Sequence, residues 1–138
     1  RARQNPQSLT PEDRLKMEDY AIEAQQLQTA ELANFKRDAG YAPDNAIVQY
    51  RYGLALYRNG LMAEAVIALQ HVHQLEPQTP IYMIALARLL QTTGQLDEAL
   101  KIAQKLIKIE PQHQEFVEEL QTQIEQRNQA APNPAPKE

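Results

Sequence analysis

Apolar residues recur every three or four positions in six stretches of this chain, and the breaks between them fall on Gly, Pro, Asn and Asp. The first stretch opens at Thr10-Pro11-Glu12-Asp13. Thr10 can cap a helix, Pro11 suits its first turn, and acids favour the positive end of the helix dipole. From Glu12 to Ala39 there is no Gly or Pro, enough for a rod of about 40 Å at ~1.5 Å per residue. Met17, Tyr20, Ala24, Leu27 and Glu31 or Phe35 follow helical spacing, while Leu15, Ile22 and Leu32 sit off that line, so the apolar stripe is imperfect. Gly40 is expected to stop this helix, and Pro43 forbids its continuation.

Shorter helices follow. Asp44 or Asn45 caps one that reads to Arg58, before the break Asn59-Gly60. The next covers Met62 to Leu75 and is closed by Pro77. Thr79-Pro80 starts another, reaching Thr92 before Gly94, and Leu96 to Ile109 forms its successor, closed by Pro111. The last runs from Gln112 to Arg127 with Phe116, Val117, Leu120 and Ile124 on its apolar side. Residues 1–10 and the Pro-rich end 129–138 lack periodicity and are expected to be disordered.

A strict stride links these helices. Pro43, Pro77 and Pro111 are 34 residues apart, as are Gly60 and Gly94, and Ala65 and Ala99. A period of that length in helix–turn–helix units signals a solenoid. Gly is needed where the backbone leaves the helical region at the turn. Where two helices cross closely, only a small side chain fits between the backbones, which assigns Gly53, Ala87, Ala65 and Ala99 to the crossings. Larger positions need only share volume, so Tyr52/Leu86, Leu56/Leu90, Leu69/Ala103 and Val72/Leu106 can drift.

Residues 44–77 and 78–111 resemble two tetratricopeptide repeats. The first carries Tyr52-Gly53, Leu56, Gly60, Ala65, Leu69, Val72 and Pro77, and the second Leu86-Ala87, Leu90, Gly94, Ala99, Ala103, Leu106 and Pro111. The family usually has a bulky or aromatic residue early in the first helix, where Gln49 and Met83 stand here. Residues 112–128 resemble the family's capping helix. The long segment 11–39 lacks the small-residue pattern and is not a repeat. The resemblance implies an all-α superhelix of antiparallel helix pairs, preceded by a long N-terminal helix. That helix is expected to pack on the first repeat through Tyr20–Phe35. A homodimer through residues 11–39 is the alternative.

In this family the first helices of successive units line a concave groove that holds peptides. Carried over, the groove shows Ile47, Tyr50, Arg51, Leu54, Tyr57 and Arg58 from the first unit and Ile81, Ile84, Arg88 and Gln91 from the second. Members that grip a chaperone's C-terminal carboxylate use Lys and Asn at positions filled here by Tyr50 and Leu54, so that clamp is missing. The groove instead looks apolar with an Arg edge, suited to an amphipathic helix or an extended peptide. Either the chain's own N-terminal helix fills it or an external partner does.

Composition narrows the chemistry. Net charge is −4 with basic residues scattered, which argues against nucleic acid. Cysteine is absent, excluding disulfides and thiolate chemistry. No run approaches the ~20 apolar residues of a membrane span. The start at Arg1 reads as a fragment or processed form, leaving the compartment open between cytoplasmic and extracytoplasmic. His71 and His73 point about 200° apart on one helix and cannot share a metal, while His113 has no evident partner. Lys101, Lys105 and Lys108, and Glu115, Glu118, Glu119 and Glu125, read as solvated faces. No catalytic, cofactor or metal site is expected.

The sequence therefore reads as an interaction scaffold that binds a protein or peptide in an apolar groove. The alternative is an accessory repeat domain of a larger extracytoplasmic enzyme or redox protein. The layout from Thr29 to Leu56 is loosely similar to repeat tails of bacterial multihaem cytochromes c, and zinc metalloproteases are a second such context.

Overall fold

The computed structural model describes residues 9–130, so the expected loose segments 1–8 and 131–138 lie outside it. Helix α1 spans Pro11–Tyr41, α2 Ala46–Arg58, α3 Met62–Leu75, α4 Pro80–Thr92, α5 Leu96–Ile109 and α6 Gln114–Ala130, with a 3-10 turn Pro111–His113 leading into α6. Helices consecutive in sequence pack on one another from α1 to α6.

The helix ends are set by a few residues. Thr10 and Asp13 form a reciprocal capping box at the start of α1, with Asp13 N–H donating to Thr10 Oγ1 at 3.1 Å and Thr10 N–H to Asp13 Oδ2 at 3.3 Å. Asn45, rather than Asp44, caps α2 by accepting from Val48 N–H at 3.2 Å. Gly60 and Gly94 hold φ of +77° and +81°. Each closes the same two-bond motif. Gly60 N–H donates to Tyr57 O at 3.0 Å and Leu61 N–H to Leu56 O at 2.9 Å. Gly94 N–H donates to Gln91 O at 3.1 Å and Gln95 N–H to Leu90 O at 2.8 Å.

The prolines act through the residue ahead of them. Ala42 (φ −132°, ψ 64°), Glu76 (−136°, 83°) and Glu110 (−128°, 89°) share a similar non-helical geometry. Each still donates its N–H back one helical turn, to Asp38, Val72 and Leu106. Proline Cδ crowds the preceding residue out of the α region, so each helix ends there. Gly40 was expected to end α1 and does not: the helix runs through it to Tyr41. One Gly inside a helix costs only about 1 kcal/mol, too little to stop it without a left-handed turn. At the other end of the fold, α6 runs on to Ala130, past the expected start of the disordered tail at 129, because no breaker precedes Pro132.

Gly53, Ala65, Ala87 and Ala99 are all buried at helix crossings. A Cβ built on Gly53 would lie 2.9 Å from Leu69 Cδ2 and 3.3 Å from its Cγ. Thirty-four positions on, the same two places hold Ala87 and Ala103, both fully buried. One crossing is filled by nothing against leucine, the other by methyl against methyl. Around them Leu56, Leu69, Val72, Tyr82, Leu86, Leu90, Phe116, Val117 and Leu120 belong to one continuous core.

The α1 helix docks antiparallel to α2, but over a shorter stretch than expected. Tyr20 and Leu27 are each 68% exposed, and tertiary contact begins only at Gln28, whose carbonyl accepts from Asn59 Nδ2 at 3.4 Å. The reason is length: α2 ends at Arg58 and α1 outruns it. Leu32 and the buried Ala39 complete the contact. This seam also carries polar contacts. Gln49, buried where the family usually has a bulky residue, donates from Nε2 to Ala39 O at 2.9 Å and Ala42 O at 3.2 Å. It thereby satisfies the Ala39 carbonyl, which the end of α1 leaves without a helical partner, and adds a second donor to Ala42 O, which also accepts from Asn45 N–H. His71 Nε2 donates to Pro43 O at 2.7 Å. In the second repeat Met83 takes the place of Gln49 and is buried as an apolar residue.

Two stability measurements check this account. Gly60→Ala and Gly94→Ala each lower unfolding free energy by about 1–2 kcal/mol, from the φ penalty alone, since open space surrounds both. Leu69→Ala costs about 2–5 kcal/mol in wild type. In a Gly53→Ala background it costs at least about 1 kcal/mol less, because the new methyl enters the vacated space. Additive values in denaturant titrations would refute the Gly53–Leu69 wedge.

Candidate partner-binding groove

Helices α2 and α4, the first helices of the two repeats, stand side by side. The Tyr50 and Tyr82 rings join them, with centroids 5.0 Å apart and planes tilted by 51°. Between the two helices, with Leu69 of α3 as its floor, opens a cleft of about 170 Å³ lined by Leu54, Tyr57, Ala85, Arg88, Leu89 and Thr92. All of its lining comes from α2, α3 and α4. The N-terminal helix therefore covers the end of the array and leaves this cleft open, contrary to the self-filling alternative.

The ten residues expected in the groove separate by environment. Leu54, Tyr57 and Arg88 line the cleft. Ile47, Tyr57 and Ile81 are exposed at 54%, 45% and 57%, large apolar surfaces facing solvent. Ile84 is half-buried and Arg51 exposed. Tyr50 packs against Tyr82 and serves the helix contact. Arg58 reaches Glu31 of α1 at 4.0 Å, an exposed and therefore weak pair.

The C-terminal edge is already engaged by α6. The Arg88 guanidinium lies 4.0 Å over the Phe116 ring and donates to Glu119 Oε2 at 3.0 Å. Gln91 Nε2 donates to Glu119 and, at 2.7 Å, to Gln123 Oε1. Glu119, expected on the solvated face of α6, is exposed there and also bridges to Arg88 and Gln91 of α4. These contacts fix the Arg88 side chain at the rim of the cleft.

Sequence reasoning missed Ala85, Leu89 and Thr92. Two of them carry a readable signal: Ala85 and Thr92 stand 34 residues after Arg51 and Arg58, positions already assigned to the groove in the first repeat. Leu69 at the floor comes from the second helix of its repeat, and the Gly53 notch beside it brings it within reach.

Away from the groove, His71 and His73 serve different neighbours. His71 binds Pro43 O, whereas His73 faces Lys105 across the clefts between α3 and α5 that Lys101, Lys108 and Glu98 also line. His73 Nδ1 is buried without a hydrogen-bond partner among the described residues. Burial, and then the Lys105 charge, holds its pKa below the usual imidazole value of 6.5. His113 pairs with Glu110 at 2.9 Å. Among the described residues no three His, Asp or Glu side chains gather as metal ligands would, and no helix is long and apolar enough to cross a membrane.

A family model described as tetratricopeptide repeat matches residues 82–113. A search of curated proteins returns no match. Among solved structures, the TPR domain of Sgt2 from Aspergillus fumigatus superposes with a TM-score of 0.66 at 20% identity, covering 99% of this chain and 94% of that one. The chain thus has the tetratricopeptide-repeat fold, and residues 82–113 carry the repeat's sequence pattern as well.

The His73 environment gives a signed pH dependence. Its folded-state pKa lies below the unfolded value, so as pH falls through 6.5 the unfolded chain gains a proton that the folded chain resists. Stability is expected to drop between pH 7.5 and 5.5 by a component absent in His73→Gln, as urea titrations at several pH values would show. Equal pH profiles for the two proteins would contradict it.

Proposed function

We propose that this chain is an interaction scaffold whose α2/α4 face receives an amphipathic helix or extended peptide with bulky apolar side chains and acidic flanks. The carrying observation is the open apolar cleft between α2 and α4, with Arg88 at its rim. Neither α2 nor α4 contains an Asp or Glu, and between them they present Arg51, Arg58 and Arg88. At about 170 Å³ the cleft falls below the ~300–1,000 Å³ of small-molecule sites and suits side chains of a peptide anchored along the flanking surface. Ile47, Tyr57 and Ile81 supply that surface. Tetratricopeptide repeats are generally non-catalytic scaffolds, in keeping with this role.

The absence of Lys and Asn at Tyr50 and Leu54 points away from capture of a terminal carboxylate. Apolar anchors give affinity, and the arginines give orientation and a salt-dependent on-rate. The test uses peptides selected from a phage library on the wild-type chain. Tyr57→Ala and Ile47→Ala, both at exposed positions, are expected to weaken selected peptides about tenfold or more by fluorescence anisotropy, and Arg51→Glu to flatten the salt dependence. Selected peptides indifferent to all three changes would remove the groove. Tyr50 is a poor probe, since its truncation also strips the Tyr82 contact.

A further inference from the structure

Among the described residues, the first half of α1 rests on no other helix. Every residue from 10 to 27 is exposed. A free helix of this length is marginal in water, yet α1 is unbroken from Pro11 to Tyr41. It holds Leu15, Met17, Tyr20, Ile22 and Leu27 at 55–68% exposure. Met17, Tyr20, Ala24 and Leu27 are three or four residues apart and share one side. The same segment carries Glu12, Asp13, Glu18, Asp19 and Glu23 against only Arg14 and Lys16. It is an acidic helix with an apolar side.

The open groove has the complementary character: an apolar floor, Arg88 at its rim, Arg51 and Arg58 exposed on α2, and no acid on either helix. The two surfaces cannot meet within one chain. The α1 rod lies along α2, passes Asn59 and continues beyond the body, and no Gly or Pro between Glu12 and Ala39 lets it fold back. We infer that residues 11–27 of one copy occupy the α2/α4 groove of a second copy. The exchange is reciprocal, so each chain is both ligand and receptor, as a two-fold dimer requires. Tyr20 and Leu27 lie over Leu54, Tyr57 and Leu89, and Glu23, three residues from one and four from the other, flanks that side and faces Arg51 and Arg58. Among the described residues Arg58 has its weak 4.0 Å pair with Glu31 to give up. Charge selects this arrangement over side-by-side pairing of the two free helices, which would bring five acids against five with only two bases on each.

This inference rests on the groove reading and fails separately from it. The experiment is sedimentation velocity of the full 138-residue chain over a concentration series, at low and high salt. Wild type is expected to reach dimer mass, more readily at low salt. Tyr20→Ala/Leu27→Ala and Tyr57→Ala/Arg51→Glu are each expected to weaken the dimer at least about tenfold. All four positions are exposed, so unchanged thermal melts certify folding. Mixing the two variants restores heterodimer mass, since one intact free helix then meets one intact groove. Wild type that stays monomeric at every concentration overturns the inference, and peptide binding lost in Tyr57→Ala would then still support the groove. A dimer abolished by the helix variant but untouched by the groove variant means that the free helices pair with each other and overturns the inference, as does a dimer weakened by both variants and not restored on mixing them.

Discussion

Everything in this fold depends on how closely two helices approach at Gly53. With no side chain there, Leu69 comes to rest against the α2 backbone, where a Cβ would meet its Cδ2 at 2.9 Å. That approach does two things at once. It seals the first repeat's interior, and it sets Leu69 as the floor of the cleft between α2 and α4. The second repeat solves the same crossing with Ala87 and Ala103. The shared quantity is combined volume, so neither residue of a pair is constrained alone.

The stacking of units is governed by a different physics at each end. Between the repeats, and onto α6, the contact is largely apolar, with Met83, Leu86, Leu106 and Leu120 almost fully buried. Between α1 and the first repeat it depends on side chains bonding to backbone: Gln49, Asn59 and His71 all donate to carbonyls of α1 or of Pro43. Such bonds are directional, so they fix the angle and register of α1 while adding little burial. The array's first face is thereby closed without α1 turning into the groove. At the other end, α6 does reach the groove edge, through Glu119 on Arg88 and Gln91, which narrows the free surface to α2 and the middle of α4.

Several residues spoke for themselves in the sequence. Gly60 and Gly94 at a fixed stride predict left-handed turn residues, and they are. Pro43, Pro77 and Pro111 predict chain exits, and the residue before each takes a similar non-helical geometry. Gly40 misled because glycine marks a helix end only where the backbone must turn left-handed, and at Gly40 it stays helical. Gln49 read as a departure from a pattern, and only its neighbours explain it, as a cap on carbonyls some ten residues earlier in the chain. Of the groove, Leu54, Tyr57 and Arg88 were legible from the repeat, and Ala85 and Thr92 would have been had the stride been applied to every position.

The sequence by itself determined the helices, their breaks, the stride and the small residues at the crossings. These follow from local sterics: glycine's access to positive φ, proline's effect on its predecessor, and the room left by a missing side chain. Tertiary structure alone decided how far α1 would find support, which groove residues face solvent, and which are drawn off by α6. Those outcomes depend on the relative lengths and placement of separate helices. The 31 residues of α1 against the 13 of α2 leave half a helix uncovered, a mismatch that acquires meaning only once the two lie side by side.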